Sequence, residues 1–245
     1  MRCLITLIAV LFASFSSTAQ DTAAIKKALN IFRQVQAKSQ QRPVSFDISY
    51  AYANEHKPGI LLDSLKGKVE MNGENYRCTV DQTETIRNSR YTIVLFKEDK
   101  LMYLATTGKV PSSANPLETI NDLLGAATNS TFSYQKEIIV IHLAFPADGP
   151  CKQLSIAIDT VSQRILSMEY ILKTSMLISE DMQKDELQEG YEEYALVKAS
   201  LSNYKEVAPD NKRYDEKAFF YKEGNTLKVT AAYEDYNIFV GSPDL

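Results

Sequence analysis

The chain has only two imidazoles, His56 and His142, and most acid-base and metal chemistry near neutral pH relies on that side chain. His56 falls in a hairpin-like loop and His142 in an apolar run. No HExxH, no paired His spacing and no nearby Cys accompanies either, so no metal site is predicted. His142 reads as a histidine satisfied within a sheet. A serine nucleophile needs a setting such as the GxSxG elbow, which is absent. Gly67, Gly73 and Gly149 sit in hairpin settings with no GxGxxG or Walker pattern, so nucleotide binding is not indicated. Glu169 and Asp47 can be drawn as a hydrolytic carboxylate pair, but any acidic β protein offers such pairs. Asn129-Ser130-Thr131 matches the N-glycosylation acceptor, a tripeptide that often arises by chance. No catalytic residue and no cofactor are predicted, and the expectation is a protein that is not an enzyme.

Cys78 and Cys151 lie beyond the N-terminal leader described below, and an oxidising compartment permits them to pair. Two small buried thiols are the alternative, because spacing alone does not supply the Cα separation a bridge needs. Both readings stand at this point. Glu180, Asp181, Asp185, Glu186, Glu189, Glu192 and Glu193 make 180–193 acidic. This reads as a solvated loop or exposed helix, since no EF-hand spacing is present.

Residues 1–19 read as a cleavable signal peptide: Arg2 supplies the positive start, Leu4 to Phe15 the apolar run, and Ser17-Thr18-Ala19 the small residues for cleavage. The run is shorter than the roughly 20 residues that span a bilayer, and no later segment is long and uncharged enough to do so. Cys3 precedes the apolar run instead of following it, which argues against a lipid anchor. The expected product is soluble, not membrane-spanning, and periplasmic or secreted. Of 27 basic and 31 acidic residues only Arg2 lies in the leader, leaving 26 and 31, a formal charge of −5. The basic residues are scattered, so nucleic acid is a poor partner. Fourteen Tyr and ten Phe with no Trp suit half-buried pleated sheet.

Ile25, Ala28, Leu29, Phe32 and Val35 recur at helical spacing, predicting an amphipathic helix from about Thr22 to Lys38 with Asp21 or Thr22 as its cap. Beyond Pro43 the period becomes two: Val44, Phe46, Ile48, Tyr50 and Tyr52 alternate with small or polar residues. Leu65, Gly67, Val69 and Met71 alternate next, and Asn72-Gly73 predicts a two-residue hairpin in which Val69 faces Tyr76 and Gly67 faces Cys78. Runs at Thr83 to Arg87, Tyr91 to Phe96 and Leu101 to Thr106 extend a meander. Asn115, Pro116, Glu118 and Gly125 carry the cap signals of a short internal helix. Strands are expected again at Ile138 to Phe145, which is apolar on both faces and so reads as central, and at Lys152 to Asp159 and Arg164 to Leu172. Glu193 to Asn203, Lys217 to Glu223 and Thr226 to Tyr233 complete the set, the last two joined by Gly224-Asn225. Tyr233, Tyr236 and Phe239 read as packing on a sheet edge, with a partner-facing role as the alternative.

The helix, then Phe46, then the run from Gly67 through Met71 and Asn72-Gly73 to Arg77, resembles the LolA/LolB family of lipoprotein carriers. Leu154 to Asp159 followed by Arg164 to Glu169 is similar to that family's paired later strands. The resemblance covers roughly Ala23 to Asn203. Asn72-Gly73 stands where the family carries an Arg-Pro pair, and the tail beyond Asn203 exceeds the usual length. The resemblance implies an α+β, mostly antiparallel fold: an unclosed, curved half-barrel whose concave face is covered by the N-terminal helix and the short internal helix. Residues 20–245 would form one such domain, with 204–245 as a C-terminal β extension. It also implies a non-catalytic carrier for a lipid, a lipoprotein acyl chain or another apolar ligand, with Phe46, Ile48, Tyr50, Val69, Tyr76, Ile156 and Met168 lining the cavity. These residues would equally fill an ordinary core. An envelope protein-protein interaction module on the same scaffold is the alternative function.

Overall fold

The computed structural model describes residues 22–107, 126–177, 190–224 and 226–242. The leader, the internal helix expected at Asn115 to Gly125 and residues 180–189 of the acidic stretch lie outside the described residues. The apolar stripe at the N-terminus forms helix α1 (Thr22–Gln40), and Ile25, Ala28, Phe32 and Val35 are buried. The period-two segments form β1 (Val44–Asn54), β2 (Lys57–Asn72), β3 (Asn75–Val80), β4 (Thr83–Arg87), β5 (Tyr91–Phe96) and β6 (Leu101–Thr106). They are followed by β7 (Asn129–Gln135), β8 (Ile138–Ala144), β9 (Cys151–Asp159), β10 (Arg164–Lys173) and β11 (Tyr194–Glu206). The tail supplies β12 (Phe220–Glu223), β13 (Thr226–Val229) and β14 (Asn237–Val240).

Among the described residues twelve strands join one sheet in the order β14-β6-β5-β4-β3-β2-β1-β11-β10-β9-β8-β7, and β12-β13 form a separate hairpin. Every pairing in the large sheet is antiparallel except that of β14 with β6. The sheet is open, with β14 and β7 at its edges. It is also strongly curved. Helix α1 touches β2, β10 and β7, and β2 and β7 stand six strand positions apart. That is about 29 Å at roughly 4.8 Å per strand, whereas a helix is only about 10–12 Å across. One helix reaches all three strands only because the sheet wraps around it. The fold is therefore an α+β half-barrel, mostly antiparallel, with α1 in its concavity.

Two apolar clusters lie on opposite faces of this sheet. The larger sits under α1 and joins Phe32 and Val35 to Phe46, Ile48, Val69, Tyr76, Ile141, Ile156 and Met168. Across the β3–β4 pairing the buried side changes. Thr85 and Arg87 lie opposite Cys78 and Tyr76, while the fully buried Ile86 points to the convex face. There Ile86, Ile93, Leu95, Met102 and Leu104 pack against Tyr214, Phe219 and Phe220 of the tail. Polar contacts pin the tail in place: Arg213 Nη1 lies 2.8 Å from Glu70 Oε2, Arg90 pairs with Glu216, and Asn88 Nδ2 donates to the Tyr214 carbonyl at 2.8 Å.

The structure corrects several details. The hairpin after β2 pairs Asn72 with Asn75, so Gly73 and Glu74 form the loop, Val69 faces Cys78 and Met71 faces Tyr76. Gly73 has φ +63 while Glu74 is not in the left-handed region. This places glycine first in a type II′ loop instead of second in a type I′ one. The slip is of two residues, so each side chain keeps its face. Strand β8 is not central but next to the edge strand β7, with only alternate residues buried. Strand β12 begins at Phe220, after a 3-10 turn at Glu216–Ala218. Tyr233 packs against Phe219 and Tyr236, and Phe239 of β14 stacks on Tyr103 at 5.7 Å, which is the edge packing expected of these rings.

Candidate ligand-binding cleft

The C-terminal end of α1 does not seal the concavity. Between it, the start of β1, the end of β11 and the β9–β10 turn lies a cleft of about 460 Å³, within the range of small-molecule sites. Val44, Phe46, Ile165 and Tyr204 form its apolar surface, and Lys38, Arg42, Arg164 and Glu206 its charged rim.

Two irregularities in neighbouring strands build the floor. In the β1–β11 ladder Ser45 pairs with Lys205 but Asp47 with Ser202, so Asn203 and Tyr204 together oppose Phe46. Asn203 adopts φ 54 and its Nδ2 donates to Asp47 Oδ2 at 2.7 Å. An Asn in the left-handed region at an extra strand residue is a β-bulge, and a bulge reverses the side to which the following residues point. Val197, Ala199 and Leu201 are buried on the concave side, and the bulge brings Tyr204 onto that side as well. Its ring lies 4.8 Å from that of Phe46. In the β9–β10 ladder the register shifts between Ile165 and Ser167, which presents both Ile165 and Met168 to the main core. The Tyr204 hydroxyl donates to the Ile165 carbonyl at 2.8 Å, tying the two irregular strand ends together.

The mouth is equally fixed. Asp159 Oδ1 accepts the amides of Val161 at 2.9 Å and Ser162 at 2.8 Å. These bonds, that to Ser162 first, hold the Asp159 carboxyl below its usual range. They also set the β9–β10 turn, where Val161 stays 72% exposed at the cleft entrance. Arg164 lies over the Tyr204 ring at 4.9 Å, and Arg42 Nη1 pairs with Glu206 Oε2 at 3.1 Å. Burial pushes the Tyr204 phenol well above its ordinary value, with Arg164 opposing the shift. Tyr204 is thus a neutral, anchored wall and not an acid or base.

The predicted wall residues are gathered by the fold but distributed unequally. Phe46, Ile48, Val69, Tyr76, Ile156 and Met168 are at most 3% exposed and lie in the cluster under α1, with Tyr50 packed against it. Phe46 lines the cleft, and Tyr76 lines a second hollow of about 280 Å³ beside the β2–β3 loop. Cys78 and Cys151 are free, buried thiols, on strands five positions apart in the sheet order. Burial raises both thiols, that of Cys151 to about 11. Tyr204, Ile165 and the arginines of the rim escaped the sequence reading. The one available signal was the change of parity along β11, from apolar Val197, Ala199 and Leu201 to Tyr204.

Residues considered for catalysis do not converge. His142 is held on the sheet surface between Ser133 and Ser155, at 3.1 and 3.0 Å. His56 is an exposed partner of Glu192 at 2.8 Å. Asp47 and Glu169 are two strands apart, opposite Ser202 and Lys198 of β11. Among the described residues no group of three or more His, Cys, Asp or Glu side chains is placed to hold a metal ion, and no helix is long and apolar enough to cross a membrane.

No family model matches the chain, and no curated protein matches it. Among solved structures it is similar to an uncharacterized conserved protein from Thermus thermophilus, with 9% identity and a TM-score of 0.46 over 77% of this chain and 92% of that one. It is similar to a LolA superfamily protein from Nitrosomonas europaea at 9% identity, TM-score 0.38, over 77% and 97% of the two chains. A third is the Mycobacterium tuberculosis lipoprotein LppX at 13% identity, TM-score 0.38, over 75% and 98%. At these values the solved structures assign no activity, and the functional reading rests on this chain's own cleft.

Proposed function

We propose that this protein is an exported, non-catalytic binding or carrier protein for a lipid or another apolar ligand, received between α1 and the concave face of the sheet. The observation that carries the reading is continuity between cleft and core: Val44, Phe46 and Ile165 line the cleft and also belong to the cluster beneath α1. A ligand entering there leaves water for apolar surface the fold already maintains, at about 0.8 kcal/mol per buried methylene. The remaining predicted wall residues, Ile48, Tyr50, Val69, Tyr76, Ile156 and Met168, extend that surface deeper below the helix.

The chain contains no Trp, so Tyr204→Trp introduces a single indole at the cleft. Titration with bromostearate should quench it saturably, and brominated glycerol should not. Absence of saturable quenching in a folded variant would sink the proposal. A second reading, an envelope protein-protein interaction module, draws on edge strand β14, where Phe239 is 56% and Val240 45% exposed. If that edge docks a partner protein, Phe239→Lys abolishes crosslinked capture while bromostearate quenching persists; unchanged capture removes this reading.

A further inference from the structure

The cleft mouth has a charge opposite to that of the protein. The whole chain carries a formal −4, yet the rim presents Lys38, Arg42 and Arg164 against Glu206 alone. Arg42 is already engaged by Glu206, and both side chains are largely exposed. Arg164 is different. Its guanidinium rests on the Tyr204 ring, and among the described residues neither it nor Lys38 has a carboxylate at ion-pair distance. The Asp159 carboxylate, across the β9–β10 ladder from Arg164, feels its charge without pairing with it, and Asp159 Oδ1 accepts the two amides of its own turn. A guanidinium stacked on an aromatic ring keeps its edge donors available in a fixed plane, the geometry that grips carboxylate and phosphate oxygens.

Resting on the binding function proposed above, we infer that the cleft selects a single-chain amphipath with an anionic oxyacid head. Arg164, with Lys38 on the same cleft, receives the head. The chain runs inward over Tyr204, Phe46 and Ile165, and the exposed Val161 covers its first methylenes. A head of this chemistry is found on a fatty carboxylate and on an alkyl phosphate.

Dodecanoate, dodecyl phosphate, dodecanol and dodecyltrimethylammonium would be titrated into the full chain by calorimetry at low ionic strength. At least one of the two anions should bind about tenfold or more tightly than dodecanol, because only the anions add a charge-assisted hydrogen bond to the burial of the chain. The cation should bind more weakly than dodecanol. Binding by only one anion identifies the source of the head and supports the inference. Arg164→Gln should remove the anion preference, whereas Arg164→Lys should restore part of it. Equal affinity for dodecanol and the anions overturns the head-group inference and leaves apolar binding standing. An anion preference that survives Arg164→Gln in a folded protein overturns it too. If none of the four binds, the binding function itself falls.

Discussion

Truncating Phe32 to alanine tests whether α1 is part of the core or merely lies over it. Phe32 is fully buried, among the largest such side chains in the chain, and sits in the cluster with Phe46, Val69 and Met168. Losing the transfer free energy of the ring costs about 1.5–3 kcal/mol. A residual cavity of about 100 Å³ at roughly 24 cal/mol per Å³ adds about 2.4 kcal/mol where the walls do not collapse. The expected loss is therefore about 3–5 kcal/mol, a large part of a typical stability of roughly 5–15 kcal/mol. At about 2–4 °C per kcal/mol for a chain of this size, Tm should fall by some 6–20 °C. Urea denaturation with Asn30→Ala as the control would measure it, because Asn30 is on the exposed face of the same helix and should change stability by no more than about 0.5 kcal/mol. A loss below about 1 kcal/mol for Phe32→Ala would refute the packing of α1 and, with it, the wall on which the cleft depends.

Gly67→Ala places a Cβ 2.4 Å from the Thr79 carbonyl oxygen, so β2 and β3 must separate, and a loss of about 1–3 kcal/mol in the same denaturation assay is expected. The tail should loosen in acid: burial raises the Glu70 pKa, but Arg213 and Lys68 outweigh it and hold the carboxyl below its usual 4.5. This lowered pKa gives stability that is present above about pH 4.5 and lost as pH falls through the folded value. Hydrogen exchange over 211–238 should quicken there, and Arg213→Ala should flatten that response. The opposite sign holds for Tyr50, Tyr170 and Tyr204, whose phenols burial pushes well above their ordinary value of 10.0. They contribute stability present below pH 10 and lost above it, so Tyr204→Phe should lessen the alkaline decline in Tm. Cys78 and Cys151, buried as neutral thiols, should resist an aromatic disulfide reagent in the native state and react after denaturation, and a lack of thiol release in denaturant would show that they pair.

Much of this architecture was legible because period and turn chemistry are local. Ile25, Ala28, Phe32 and Val35 mark α1, and the alternations of β1 to β6 and β9 to β11 mark the strands. The shift of the β2–β3 loop by one position arose because both Asn-Gly and Gly-Glu satisfy a two-residue turn, and parity favours neither. Strand β7 was missed because Asn129 to Gln135 shows little besides Phe132 and Tyr134 to an apolar count. Those rings are recruited by distant Lys27, which lies over Phe132 at 4.6 Å and reaches the Tyr134 hydroxyl at 3.0 Å. The change of buried face at β4 depends on the tail, which covers Ile86 and Leu104 from more than a hundred residues away. The cleft escaped notice for a similar reason. Its floor arises where bulges at Asn203 and near Leu166 fall side by side, a coincidence that exists only once β10 and β11 pair.

The central claim is that the cleft over Phe46, Ile165 and Tyr204 receives an apolar chain. Calorimetric titration of straight-chain alkanoates from octanoate to hexadecanoate addresses it most directly. Affinity should rise by about fourfold for each added methylene, the equivalent of roughly 0.8 kcal/mol, until the cleft is filled and the gain stops, accompanied by a negative heat-capacity change. An affinity that does not change with chain length, or no binding heat across the whole series, would contradict the account.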